Sequence, residues 1–281
     1  MIKAVTYIGE KDGNSLLILG SIHGDEKCWT RAIVKIISDL DSWRIKIQTG
    51  QITLIPICNP KAYEADKRYY EVNLNRIFKK HANPEKYEEK LANVLTAYVE
   101  NNDYLLDLHS MAANGVPCIF EDYMDKKTQE WVKKIWPKHI IRWRPQMYKE
   151  TESSDSLWYA HNSGKTWVVI ECGTHNEYQA EIVAYKAIKN TLSHLGFIES
   201  KCEDRSDGKF DIIECKKIIF KQKAWKYVKK FEHLDFFKKW EKIAEYIDGE
   251  EINMEKDGYI LLPNEHSKQW EERFYIWEKS E

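Results

Sequence analysis

The sequence predicts an α/β fold: a three-layer α/β/α domain followed by a small all-β domain. Three observations carry this. Apolar strand-like runs alternate with amphipathic helical stretches up to about residue 196. After Gly196 the texture changes to short β-rich runs broken by turn signals. The apolar runs also deliver histidines and carboxylates where they stop, and the ends of strands are where open α/β sheets place their ligands.

The expected strands are 4–8, 15–19, 51–57, 104–108, 117–121 and 166–171. Between them, residues 27–40 set Ile33, Ile36, Ile37 and Leu40 on one helical face. A second helix is expected over 84–99, with Pro84 near its first turn, and a third over 176–195, ended by Gly196. Strands alternating with helices imply helices on both faces of one sheet. The first domain is expected over 1–198. Residues 199–209 are polar, hold Gly208 and lack an apolar periodicity, as a linker would. The small β domain is expected over 209–281, with runs such as 212–220 and 259–262 separated by Asp248-Gly249 and Asp257-Gly258.

With 281 residues, 43% hydrophobic and 31% charged, the chain can bury a sizeable core. A formal net charge of −2 leaves no electrostatic footprint for nucleic acid or an anionic membrane. No run approaches the roughly 18 apolar residues of a membrane span, and the first residues do not read as a signal peptide. The six cysteines are widely spaced, without a CxxC pair, and read as reduced thiols of a cytoplasmic protein. The composition is compatible with a homo-oligomer.

Four segments carry chemistry. The run Leu16-Leu17-Ile18-Leu19 breaks at Gly20 and Gly24 and delivers Ile22-His23-Gly24-Asp25-Glu26. His23 and Glu26, at i and i+3, can reach one metal ion, and a zinc hydrolase needs a third ligand. Tyr104-Leu105-Leu106-Asp107-Leu108-His109 supplies one. Asp25 and Asp107 read as groups that orient the histidines. The long loop after residue 57 carries Asn59-Pro60, Arg68 and Asn73-Leu74-Asn75-Arg76. Paired arginines beside a metal suit a substrate bearing a free carboxylate, which a guanidinium binds in bidentate fashion. Thr166-Trp167-Val168-Val169-Ile170-Glu171-Cys172-Gly173 is an apolar strand ending in a glutamate, a general-base candidate beside a metal. His175, just beyond it, is a candidate substrate contact.

In order, HGDE, NP…R…NLNR, DLHS and ECG resemble the succinylglutamate desuccinylase/aspartoacylase family, a branch of the zinc carboxypeptidases. The resemblance spans roughly residues 15–175 by motif and extends into the small domain through 248–250 and 258–264. It implies a zinc-carboxypeptidase-like domain with a mixed central sheet and one Zn2+ per chain, held by His23, Glu26 and His109. It further implies Glu171 as general base and acid, Arg68 as oxyanion donor, and Asn75 with Arg76 as the holder of a small-molecule substrate's carboxylate. The implied activity is hydrolysis of the amide bond of an N-acyl amino acid. Two departures bear on substrate. The arginine that aspartoacylases place about ten residues before the glutamate is missing from 158–165, with Arg142, Arg144 and Lys165 as the available stand-ins, and Asn73 replaces an acidic residue. A zinc carboxypeptidase acting on peptide C-termini is the nearest rival, and an inactive metal-binding module a more distant one. No bridging aspartate motif supports a dinuclear aminopeptidase.

Overall fold

A computed structural model of the chain describes residues 2–121, 125–135, 137–142, 154–175, 177–200, 210–221, 223–265, 267, 269 and 271–278. The central element is an eight-stranded sheet. Its strands are β1 (Val5–Ile8), β2 (Lys11–Leu19), β3 (Thr49–Ile55), β4 (Tyr104–Met111), β5 (Cys118–Phe120), β6 (His139–Arg142), β7 (Thr166–Thr174) and β8 (Asp211–Glu214). They lie in the order β1-β3-β2-β4-β7-β5-β6-β8. The pairs β1–β3 and β5–β7 are antiparallel and the others parallel, so the sheet is mixed.

The alternation of side chains along each strand builds two cores. Leu16, Ile18, Leu106, Leu108, Val168 and Ile170 face a layer formed by the helices Cys28–Asp41, Lys126–Val132 and Tyr178–His194. Leu17, Leu19, Leu105, Trp167 and Val169 face the helices Tyr87–Glu100 and Ser156–Asn162. Asp107, His109 and Glu171 share the parity of this second face, so the polar site grows directly out of its core.

The helix expected to start at Pro84 starts at Tyr87. Glu89 Oε2 accepts from Lys86 N–H at 3.0 Å and Glu85 N–H at 2.8 Å, and that cap fixes the boundary. A second difference lies further on. Residues 212–220, expected to open the β domain as one run, form two strands. β8 pairs with β6 in the central sheet, while β9 (Lys217–Phe220) pairs with β15 (Glu272–Glu278). Burial of Ile213 and Cys215 in the second core draws β8 to the central sheet. Most of the expected linker, 201–209, lies outside the described residues.

The remaining strands are β10 (Trp225–Tyr227), β11 (Asp235–Phe237), β12 (Lys242–Tyr246), β13 (Glu251–Asn253) and β14 (Gly258–Leu261). They complete a four-stranded sheet, β11-β14-β15-β9, and a three-stranded one, β10-β12-β13. These close on Trp225, Phe237, Ile243, Ile260 and Phe274. Leu261 and Tyr275 leave that core and join the second core of the central sheet, tying the two parts together. The five described cysteines are buried and free. Among the described residues, no helix is long and apolar enough to cross a membrane.

Two local devices position the site. A Cβ at Gly24 would lie 2.1 Å from the carbonyl carbon of Ala62, so only glycine lets the His23–Glu26 turn pack against the loop from β3. That loop is held by Glu88, which is fully buried. Its carboxylate accepts from Tyr70 N–H at 2.6 Å, Glu71 N–H at 3.1 Å, Val72 N–H at 3.2 Å and the Asn59 amide at 3.2 Å. Glu88→Ala is therefore expected to cost about 2–4 kcal/mol, because several buried donors lose their acceptor together. Chemical denaturation measures this, and a loss below about 0.5 kcal/mol, the scale of a neutral surface change, would contradict it.

Candidate active site

The convergence starts with β4 and β7. Their parallel register sets His109 opposite Glu171, immediately before an irregularity between His109 and Met111. His23 and Glu26 arrive from the turn after β2. Ligand atoms of His23, Glu26 and His109 lie within 4.8 Å of one another, and all three residues are buried. His23 Nδ1 stands 2.7 Å from Glu26 Oε1, and His109 Nδ1 stands 3.2 Å from Glu26 Oε2. Ser110 N–H donates to Oε2 at 3.0 Å.

The outer nitrogens of both rings are occupied. His109 Nε2–H donates to Asp107 Oδ2 at 2.9 Å, and Ser156 Oγ–H donates to the same oxygen. His23 Nε2–H donates to Asn73 Oδ1 at 3.2 Å. Both Nδ1 atoms are thereby turned onto the Glu26 carboxylate, as outer hydrogen bonds do for metal-ligating histidines. Two imidazole nitrogens and a carboxylate form a donor set suited to zinc. Asp107 thus orients its histidine as expected. Asp25 does not: Asn73 orients His23, and Asp25 lines the cavity instead.

The electrostatics follow from burial. His23 is pushed down to about 3 by desolvation, with Arg68 adding to the effect. Burial would also raise the Glu26 carboxyl and lower the His109 imidazole. The neighbouring imidazoles instead hold Glu26 well below the usual range, and Asp107 and Glu26 hold His109 well above its own. A metal must therefore displace a proton from this cluster to bind. Glu171 is pushed up to about 8, first by desolvation and then by the Glu26 charge. It is 9% exposed, lines the cavity, and its Oε2 has no hydrogen-bond partner among the described residues.

The cavity has a volume of about 530 Å³. It is lined by Asp25, Ser110, Glu171 and His175 from the ends of the central strands and the turn after β2, and by Lys67, Arg68, Tyr69, Asn73 and Arg76 from the loop after β3. The small β domain adds Leu262, Pro263, Asn264, Glu271, Glu272 and Tyr275 to the lining. The β domain therefore reaches the site, a point no local sequence signal indicates. Tyr69 Oη–H donates to Glu271 Oε1 at 2.6 Å, joining the loop to the β domain.

Arg68 Nη1 lies 3.4 Å from Glu26 Oε1, beside the ligand set. Arg76 also lines the cavity, but its Nε donates to Glu272 Oε1 at 2.6 Å and its Nη1 to the Asn75 carbonyl at 2.7 Å. Asn75, expected to share in holding the substrate carboxylate, is buried and not among the residues lining the cavity; its Oδ1 accepts from Ser156 N–H at 3.0 Å. Of the stand-ins for the missing arginine, Arg142 pairs with Glu121 at 3.1 Å and Lys165 donates to the Glu100 carbonyl at 2.7 Å. Arg144 lies outside the described residues.

Comparison with known proteins identifies the family and the fold. Residues 12–195 match the profile described as the succinylglutamate desuccinylase/aspartoacylase catalytic domain. A probable aspartoacylase of Nostoc sp. is 37% identical over 111 residues, which is 36% of each chain. An N-alpha-acetyl-L-2,4-diaminobutyric acid deacetylase of Halomonas elongata is 27% identical over 213 residues, 71% of this chain and 60% of the relative. The chain thus spans less than two thirds of either relative's length. Among solved structures, a succinylglutamate desuccinylase/aspartoacylase from Rhodobacter sphaeroides superposes with a TM-score of 0.79 at 16% identity, covering 100% of this chain and 89% of its own. The ectoine utilization protein EutE (DoeB) of Ruegeria pomeroyi, in a product-bound structure, gives 0.78 at 17% identity, with 98% and 88% covered.

Two outcomes are expected. Elemental analysis should find a single tightly held divalent ion per chain, with most of it lost in His23→Ala and in His109→Ala; full retention in both would contradict the ligand set. Glu272, which burial alone would raise, is held below its usual value by Arg76. A depressed carboxyl contributes stability above its unfolded value of about 4.3 and loses it as pH falls toward the lower folded one. Glu272→Gln should therefore flatten the acid limb of the stability curve, and an unchanged acid limb would contradict the pairing.

Proposed function

Because the chain belongs to the succinylglutamate desuccinylase/aspartoacylase family, we propose that it is a zinc-dependent amidohydrolase that removes the acyl group from an N-acyl amino acid with a free carboxylate. One observation carries this reading. A buried glutamate with an unpartnered oxygen, Glu171, lines the same cavity as Arg68, beside the His23, Glu26 and His109 donors. The names of the Nostoc and Halomonas relatives, an aspartoacylase and a deacetylase, support the same class.

When bound, zinc supplies Lewis-acid polarisation of the scissile carbonyl and lowers the pKa of a water. Glu171 takes a proton from the attacking water and returns it to the leaving nitrogen, so the amide yields a carboxylic acid and a free amine. Its raised proton affinity suits both transfers. Arg68 donates to the carbonyl oxygen as negative charge develops there. Arg76 holds the substrate carboxylate, sharing its guanidinium with Glu272. The β domain contributes Leu262, Pro263, Asn264, Glu271, Glu272 and Tyr275 to the lining of the cavity, and the deacylase reading over a carboxypeptidase is supported by the names of the relatives.

Among the described residues, Arg142 and Lys165 are engaged elsewhere, which leaves Arg76 as the proposed clamp for the α-carboxylate, with Lys67 and Arg68 the other cations lining the cavity. N-acetyl derivatives of leucine, lysine or diaminobutyrate are therefore expected to be hydrolysed at least as well as N-acetylaspartate, and an amidated control poorly. Comparing kcat/KM across this series on the zinc-loaded protein tests the reading. A strong preference for N-acetylaspartate would contradict the single clamp, and release of C-terminal residues from peptides alone would contradict the deacylase. Glu171→Gln should lower kcat by about 10²–10⁴-fold with metal retained; a kcat within about tenfold of wild type would remove the general-base role.

A further inference from the structure

Resting on the deacylase reading above, we propose that His233 is a positioning residue of the active site: its imidazole pins the cavity-lining turn at Leu262 to the loop that follows β4, and substrate binding depends on that pin. Two segments of the cavity lining meet here. Met111 and Ala112 lead out of β4, and Leu262, Pro263 and Asn264 follow β14. β11 pairs with β14 so that Asp235 lies opposite Ile260, and the same register carried two residues further sets His233 opposite Leu262. Leu234, at φ +71°, interrupts that ladder. Its N–H donates to the Ile260 carbonyl at 2.8 Å, and His233 N–H turns to the Asn114 carbonyl at 2.8 Å. Leu262 N–H is met instead by a side chain, His233 Nδ1, at 3.0 Å. The Asn114 amide donates in turn to Glu232 Oε1 at 3.2 Å. His233 thus holds the loop after β4 through its backbone and the turn after β14 through its ring.

The imidazole is fitted to this one bond. Leu262 sits at φ +49°, a left-handed conformation that a bulky side chain rarely adopts and that persists only where its surroundings impose it. The His233 bond imposes it from one side, and the bond from Asn264 N–H to the Arg273 carbonyl at 2.8 Å from the other. The ring has little room to move: a Cβ at Gly115 would lie 2.4 Å from His233 Cβ and 3.2 Å from its Cγ. Because Nδ1 accepts, the ring proton is on Nε2, and that nitrogen is buried with no partner among the described residues. A buried donor without an acceptor lowers stability. An apolar residue would serve the packing better, so what the histidine adds is the acceptor at Leu262. The reacting groups stand on other elements: Glu171 on β7, Arg68 on the loop after β3, and the donors on β4 and the turn after β2. Releasing the turn therefore alters the fit of bound substrate and leaves the chemical step in place, so the effect falls on KM.

The test measures kcat and KM for the N-acetyl amino acid that zinc-loaded wild type hydrolyses best, together with amide hydrogen exchange at Leu262. His233→Leu keeps the bulk and removes the acceptor, whereas His233→Asn sets an Oδ1 in the place of Nδ1. His233→Leu is expected to raise KM by about tenfold, the scale of one impaired apolar fit, with kcat retained and exchange at Leu262 accelerated. His233→Asn should restore both toward wild type. KM does not depend on the fraction of protein that is folded, so a merely structural loss does not reproduce this pattern. Gly115→Ala, which keeps the imidazole but presses a Cβ against it, should raise KM likewise and carries the test if His233→Leu fails to fold. A wild-type KM in His233→Leu or, where that variant does not fold, in Gly115→Ala overturns the inference. So does an equal rise in His233→Leu and His233→Asn, or a fall in kcat at unchanged KM, and each of these leaves the deacylase reading intact. Failure of wild type to hydrolyse any N-acyl amino acid overturns both.

Discussion

The structure depends on one buried arrangement: a single carboxylate, Glu26, facing the Nδ1 atoms of two imidazoles with almost no access to water. His23, Glu26 and His109 are 2%, 1% and 2% exposed. Burying three ionisable groups is costly unless each is paired and hydrogen-bonded. The surrounding chain meets that demand group by group. Asn73 and Asp107 take the outer nitrogens, Ser110 N–H and Arg68 reach the carboxylate oxygens, and Ser156 completes Asp107. These five partners come from three separate stretches of sequence, so the loop from β3, the end of β4 and the helix from Ser156 are all placed by one polar requirement.

Strand register is the second constraint. Side chains alternate along a strand, so Asp107 and His109 share a face of β4, and His109 meets Glu171 only because β4 and β7 pair as they do. A slip of one residue would turn all three into the opposite layer, among the helices Cys28–Asp41 and Tyr178–His194. The apolar residues between them prevent this: Leu106, Leu108, Val168 and Ile170 are fully or almost fully buried on that opposite face.

Much of this was legible in the sequence because it is local. The HGDE turn, the apolar run into His109 and the run into Glu171 each declare a strand and a polar terminus within ten residues. The long β3 loop announced Arg68 and Arg76 by composition. What escaped the sequence depends on distant pairing. Arg76 is engaged by Glu272, 196 residues away, and Tyr69 by Glu271, 202 residues away. No periodicity encodes such contacts. β8 was read with the small domain because Ile212–Ile213 looks the same whichever sheet receives it. The role of Asn73 was obscured for a different reason: its departure from an acidic residue drew attention to substrate, whereas its oxygen orients His23. His175 stood out only by its place two residues beyond ECG. Its contact with Ser110 emerges once β4 and β7 are side by side.

The central claim is that the two Nδ1 atoms and the Glu26 carboxylate hold one metal ion. A crystal structure of zinc-loaded protein with anomalous data at the zinc edge tests it most directly. A single peak about 2.0–2.2 Å from His23 Nδ1, His109 Nδ1 and a Glu26 oxygen is the predicted result. A peak elsewhere, or ligation through the Nε2 atoms with Asn73 and Asp107 displaced, would contradict the account.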